Sequence, residues 1–294
     1  MKTGGKFKRS DILIVILMVL ILVLIFYRIR SGLHYRWSWA SIPQYLIRYD
    51  PQALKWVPNL LAEGLFNTIR LSFWATILAS VIGGIMGLFR VSSGLLNRLI
   101  GSLYVHSIRN IPPLVLIFIF YYFLGSQILS LIRFDEMVLH TGEGARRILS
   151  ILFAPPSLLP VFASGVIALA VFEGSYIAEI VRGGIQSIHF GQWEASSALG
   201  LNRRQQLRHV ILPQAAHRIL PPLAGQFIST LKDSAIVSVV SIQELTFQGL
   251  ELMASTYLTF EIWITIAVMY LSLSLICSAL VSRIENRMRR AVAG

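Results

Sequence analysis

Acidic residues are scarce in this sequence. Fourteen Asp and Glu stand against twenty-six Lys and Arg, and charged residues make up only 14% of 294 positions. A soluble domain carries about 25%, so the deficit points to a bilayer as solvent. Cysteine is nearly absent. Cys277 is alone, inside an apolar run, which excludes a disulfide framework and a cysteine zinc site. It reads as a small buried hydrophobe. The six histidines, at 34, 106, 140, 189, 209 and 217, show no His-Glu-x-x-His and no paired spacing, so no metal site is expected. There is no Gly-x-x-x-x-Gly-Lys-Ser/Thr, so the chain has no P-loop to cradle nucleotide phosphates. No nucleophile, base and orienting group can be assembled from motifs, so it does not read as an enzyme. The net charge of +12 is not laid out as a basic stripe with interleaved aromatics, which argues against nucleic acid.

Apolar residues are abundant, at 55% with a mean hydropathy of +0.68. A span needs about 20 mostly apolar residues. Six segments qualify, at roughly 11–27, 65–89, 103–127, 158–181, 217–241 and 258–282. The fifth is interrupted by Pro221, Pro222, Lys232 and Asp233. The first follows Lys2, Lys6, Lys8 and Arg9, as a signal peptide would. It is long, however, and precedes RIRSGLHYR rather than a small-residue cleavage site, so it reads as an uncleaved anchor. Residues 130–157 read as a loop, with or without a short interfacial helix. Gly83, Gly84 and Gly87 suit close helix packing.

Lysine and arginine set the orientation. With the N-terminus cytoplasmic, fifteen of them fall inside and eight outside, the remaining Arg70, Arg109 and Lys232 lying in or near spans. Both termini are therefore expected in the cytoplasm. The basic external loop at 28–62 works against that bias.

The most informative stretch is the inside loop 182–216. A helix from Trp193 to Val210, broken or bent near Gly200, is expected, with Pro213 stopping it. It cannot span, because Glu194, Asn202, Arg203, Arg204 and Arg208 would face lipid. It must lie at the cytoplasmic face, either as an interfacial anchor or as a docking knob for a partner. Small residues on one face (Ala195, Ser196, Ala198, Gly200) let a partner's backbone approach, and Glu194 can cap or pair with basic groups.

Glu194-Ala195-Ser196, Gly200 and Val210-Ile211-Leu212-Pro213 match, in spacing, a Glu-Ala-Ala, Gly, Ile-x-Leu-Pro pattern. That pattern resembles the coupling motif of bacterial binding-protein-dependent ABC importer permeases. Ser196 and Val210 depart from it by small changes of volume. SYIAEIVRGGIQSIHFGQWEASSALGL, LPQAAHRILPPLAGQFISTLKDSAIVS and QELTFQG look like the polar amino-acid (histidine, glutamine and glutamate) branch. So do Asn67-Thr68 and the run from Arg109 to Val115. The likeness covers roughly 60–288. It implies a five-span core plus one N-terminal span, and a coupling role for Glu194, Ala195, Ser196, Gly200, Leu212 and Pro213. It further implies a separate ATP-binding subunit, so no cofactor in this chain. A second permease chain, identical or related, and an extracytoplasmic amino-acid-binding protein complete the implied assembly.

Ionisable groups at membrane depth are functional candidates. Here they are Arg70, Arg109, Glu173, Glu179, Lys232, Asp233 and Glu261. A zwitterion needs a cation for its carboxylate and an anion or carbonyls for its ammonium. Glu173, Glu179, Lys232, Asp233 and Arg109 are the candidates for a substrate pathway. Each has a structural alternative: Glu179 can pair with Arg182 at i+3, Lys232 and Asp233 can pair between helices, and Arg109 can snorkel. Glu173 has no basic partner within one turn on its face.

These readings converge on an all-α integral membrane protein with six transmembrane helices and a cytoplasmic coupling helix, in a bacterial plasma membrane. Residues 1–62 form an N-terminal anchor and external loop, 63–288 the permease domain, and 289–294 a cytoplasmic tail. The expected function is an ATP-driven importer permease for polar amino acids. An ABC permease for another small polar solute is one alternative, and an ATPase-independent secondary transporter or channel is another. The latter would be favoured by an inverted repeat, which is not evident.

Overall fold

A computed structural model describes residues 9–32, 35–52, 54–131 and 142–293. The chain divides into two units, Met1–Trp39 and Ala40–Gly294. The first holds helix α1, Arg9–Gly32, with an apolar stretch at Ile12–Ile21.

The second unit begins with a short helix, α2 (Ile42–Leu46), and a hairpin of β1 (Ile47–Asp50) and β2 (Lys55–Pro58). The strands pair antiparallel, Tyr49 opposite Trp56, with those two rings edge to face. The all-helical expectation omitted this hairpin, because the strands are too short to show a period of two above the loop background.

Helix α3 runs from Leu60 to Val91. Its buried positions, Gly64, Thr68, Leu71, Ala75, Ala79 and Gly83 among them, recur every three or four residues and define one face. Small residues there let the backbone of α8 (Leu159–Gln186) come close. A Cβ on Gly83 would sit 2.6 Å from the Gly174 carbonyl oxygen, and one on Gly87 would sit 2.7 Å from Val181. Gly84 faces open space, so the expected packing role holds for its two neighbours and not for it.

After Val91 the chain turns into α4 (Leu95–Asn110), then α5 (Pro113–Ile119), a π-helical turn (Phe120–Gly125) and α6 (Ser126–Leu131). The expected third span, 103–127, is therefore not one straight helix. The axis bends by 113° between Asn110 and Pro113. Pro112 and Pro113 remove two backbone donors, and each proline disfavours helical geometry in the residue before it. Of the loop at 130–157, positions 132–141 lie outside the described residues, and α7 occupies Glu143–Leu152.

Helix α8 is the centre of the unit, with 56% of its most apolar stretch buried. It is followed by α9 (Phe190–Ala198), α10 (Arg203–Gln205), a π-helical segment (Gln206–Ile211) and α11 (Leu212–Asp233). Pro213 does not stop this helix, contrary to expectation. It sits in the first turn of α11, and the wider π turn before it tolerates the missing donor. Beyond Asp233 a 3₁₀ segment (Ser234–Val240) leads to α12 (Leu245–Thr256) and α13 (Thr259–Ala293). The apolar stretch of α13 is only 6% buried, so this helix presents its apolar side chains outward.

Among the described residues three helices are long and apolar enough to cross a membrane: Leu60–Val91, Pro156–Gln186 and Thr259–Arg283. The bent pair makes a fourth if counted as one span. Helix α11, in the region of the expected fifth span, does not reach that standard. We call the end of the unit near β1 and β2 the hairpin end, and the end near residues 187–211 the loop end.

Candidate functional site

The loop end is folded by short-range capping. His189 Nδ1 accepts the Gly191 amide at 3.2 Å and starts α9. Gly200 ends it with φ +76°, a left-handed conformation that a Cβ would strain. Asn202 then forms a capping box with Gln205, each side chain accepting the other's amide. Gln206 Nε2 donates to Ser197 Oγ and to the Leu201 carbonyl, both at 2.8 Å. Arg203 lies 3.7 Å above the Trp193 ring. Gln214 Nε2 reaches Gln192 Oε1 at 3.1 Å, and Arg218 donates to the Ser187 carbonyl at 2.7 Å. The result is a braced knob tied to both flanking helices. Ser196 is buried within it, while Glu194, Ala195, Gly200 and Pro213 are exposed and Leu212 is half-buried. Leu199, at the tip, is 80% exposed.

Just above the knob, Glu179 collects three guanidinium groups. Arg90, from the end of α3, pairs with Oε1. Arg182 Nε donates to Oε2 at 2.7 Å. Arg109, from the end of α4, reaches Oε1 at 3.6 Å and stacks 5.0 Å from the Tyr176 ring centre. One carboxylate thus joins three helices where they meet the loop.

Glu173 is different. It is fully buried. Gln226 Nε2, on α11, donates to Oε2 at 2.6 Å, and Oε1 has no hydrogen-bond partner among the described residues. The carboxyl group of Asp233 is next to it. Asp233 is half-buried and Lys232 exposed, as adjacent helical positions facing different ways require. Of the five intramembrane candidates, Glu179 and Arg109 are thus brought together, Glu173 and Asp233 form a second pair, and Lys232 points elsewhere.

Toward the hairpin end a third cluster forms around Glu244. It accepts the Phe247 amide at 2.8 Å and the Tyr270 hydroxyl at 2.7 Å, and the Thr68 hydroxyl reaches it at 3.4 Å. Thr68 Oγ1 accepts the Leu245 amide, and Asn67 Nδ2 donates to the Gln243 carbonyl at 2.8 Å. Two motifs far apart in sequence meet here. Glu244 was missed as a candidate because it lies just beyond the expected fifth span. Its sequence signal was an acceptor side chain placed before an apolar run that opens a helix. Of the remaining candidates, Arg70 donates to Asn67 Oδ1 at 3.4 Å, and Glu261 is buried.

Apolar helices around an internal set of ionisable groups, with a polar knob at one end, define a helical membrane protein. Residues 79–290 match the family described as the binding-protein-dependent transport system inner membrane component. The chain belongs to that family. It is 33% identical over 243 residues to the glutamine transport system permease protein GlnP of Escherichia coli strain K12, covering 83% of this chain and 99% of that one. It is 30% identical to the probable glutamine ABC transporter permease protein GlnM of Bacillus subtilis strain 168, over 79% and 95%. Among solved structures, an amino acid ABC transporter aligns with a TM-score of 0.65 at 32% identity, covering 86% of this chain and 100% of that one.

Proposed function

We propose that this chain is the transmembrane permease subunit of an ATP-driven importer for polar amino acids, and that residues 187–211 are its coupling element. The braced knob carries this reading. Its exposed small face at Glu194, Ala195 and Gly200 and its tip at Leu199 suit a groove on an ATP-binding subunit. Leu212 and Pro213 join the knob to α11, so a displacement of the docked subunit is passed to that helix. The similarity to glutamine permeases supports the cargo class.

The finer architecture belongs to the same proposal. Six helices cross the membrane, α1 among them, with both termini cytoplasmic and the loop end inside. Residues 1–62 form the anchor and external loop, 63–288 the permease domain and 289–294 a tail. A second permease chain, identical or related, closes the pathway, and an extracytoplasmic binding protein delivers the cargo at the hairpin end. ATP is bound by the partner subunit. Glu173 and Asp233 supply acceptors for the substrate's ammonium group, Lys232 supplies a cation for its carboxylate, and Arg109 and Glu179 edge the inner exit.

Uptake of radiolabelled glutamine into proteoliposomes holding the full transporter tests the reading. Gly200→Leu is expected to abolish ATP-driven uptake while membrane insertion and assembly persist, because a side chain is strained at φ +76° and fills the docking face. Normal uptake by that variant, or full-rate transport by this chain with no ATPase subunit, would count against it.

A further inference from the structure

At the loop end, the α3–α4 turn, the end of α8 and the start of the knob line an open cavity of about 560 Å³. Arg90, Arg98, Gln186, Phe190, Trp193 and Arg203 are in its wall, and no acidic residue lines it. Arg90 is committed to Glu179. Arg98 and Arg203 are exposed and have no carboxylate partner among the described residues. Arg203 stacks its face on Trp193, which leaves the in-plane N–H donors of its guanidinium free to fork onto an anion. The N-terminus of α4, opening at Gly94 with no side-chain cap, adds positive partial charge beside Arg98.

The cavity does not stand alone. From the Arg98 turn, α4 carries Leu95, Leu96, Leu99 and Leu103, between 57% and 70% exposed. Its buried side is Gly101, Val105 and Ile108. A cationic pocket therefore opens onto an outward apolar strip on one helix. A free anion needs the pocket and not the strip, and a docking carboxylate of another protein needs neither the strip nor its depth. A molecule with a phosphate head and acyl chains matches both.

We propose that this cavity binds the phosphodiester head of an anionic phospholipid, with the acyl chains along α4. Basic pockets at the cytoplasmic membrane surface suit such heads. The phosphate bridges Arg98 of the helical frame and Arg203 of the knob, so the bound lipid braces the coupling element. This rests on the proposed placement of the loop end at the inner membrane surface and is independent of the cargo.

The test uses the full chain, purified in neutral detergent, and native mass spectrometry with added phosphatidylglycerol or phosphatidylcholine. Retention of phosphatidylglycerol over phosphatidylcholine is expected. The double variant Arg98→Gln/Arg203→Gln is expected to lower that retention about thirtyfold, and Arg98→Lys/Arg203→Lys to lower it less, because the charge is kept while the guanidinium fork is lost. The altered side chains are exposed, so monodisperse elution is expected throughout, and single Arg98→Gln serves if the double variant does not fold. Equal retention by wild type and the glutamine variant overturns the proposal. Displacement of the lipid by excess inorganic phosphate reassigns the cavity to a free anion. Unchanged lipid retention with weaker co-purification of the ATPase subunit reassigns it to protein docking.

Discussion

Glu173 and Glu179 stand on the same helix, less than two turns apart, and have opposite surroundings. Glu179 is met by Arg90, Arg109 and Arg182. Glu173 is more deeply buried, yet it faces Gln226 and a second acid, Asp233, with one oxygen unpartnered among the described residues. A carboxylate wrapped by cations is fixed in charge and position, and it serves as a joint between helices. A buried carboxyl group without a cation carries an unmet interaction, which costs stability and leaves it able to take a cationic partner. The two sites divide one helix: its loop end is clamped by ion pairs, and its middle holds a buried acid beside a second one.

Replacing the unclamped acid should give the largest functional change. Glu173→Gln is expected to lower glutamine uptake at least about tenfold, which corresponds to about 1.4 kcal/mol of lost substrate interaction. Thermal unfolding should show no loss of stability, because the glutamine keeps an acceptor for Gln226 Nε2 and can turn its amide donor toward Asp233. A variant that unfolds earlier but transports normally would reverse the comparison. Glu179→Gln should do the opposite. It leaves three guanidinium groups close together and should cost about 2 kcal/mol of stability, read as a lower unfolding midpoint, with uptake per folded molecule changed far less. Gln226→Leu is expected to cost about 1–2 kcal/mol by orphaning Glu173 Oε2, together with a raised KM. Arg109→Gln should be the mildest. Its contact with Glu179 is the longest of the three, and its side chain is 41% exposed, so about 0.5 kcal/mol is expected. A fall in uptake at unchanged stability would move Arg109 from the clamp to the pathway.

The loop end was the most legible part in sequence, since its structure is local. Gly200 as a break and the small residues between Ala195 and Ala198 act over a few positions, whereas the Asn202–Gln205 box, equally local, shows only in the structure. The bend in the third apolar segment was less legible, although Pro112 and Pro113 announced it, because hydropathy averages across a break that preserves apolar character. Pro213 misled in the other direction. A proline reads as a stop, but the π-helical turn before it removes the conflict. The meeting of Asn67 and Thr68 with Gln243 and Glu244 was illegible, because no pattern within either segment names its partner across that separation. The clamp on Glu179 was half legible. Arg182 is readable at i+3, whereas Arg90 stands 89 positions away and no local pattern points to it.

The π turn at Gln206–Ile211 has a mechanical consequence. It joins α10 to α11 with helical backbone throughout, so a helical rod bearing two internal prolines, Pro221 and Pro222, runs from Arg203 to Asp233. At 1.5 Å per residue that rod is about 46 Å long. One tip is anchored in the knob and the other ends beside Glu173. The helix thus ties the polar knob at one end of the bundle to the buried acid pair at its middle.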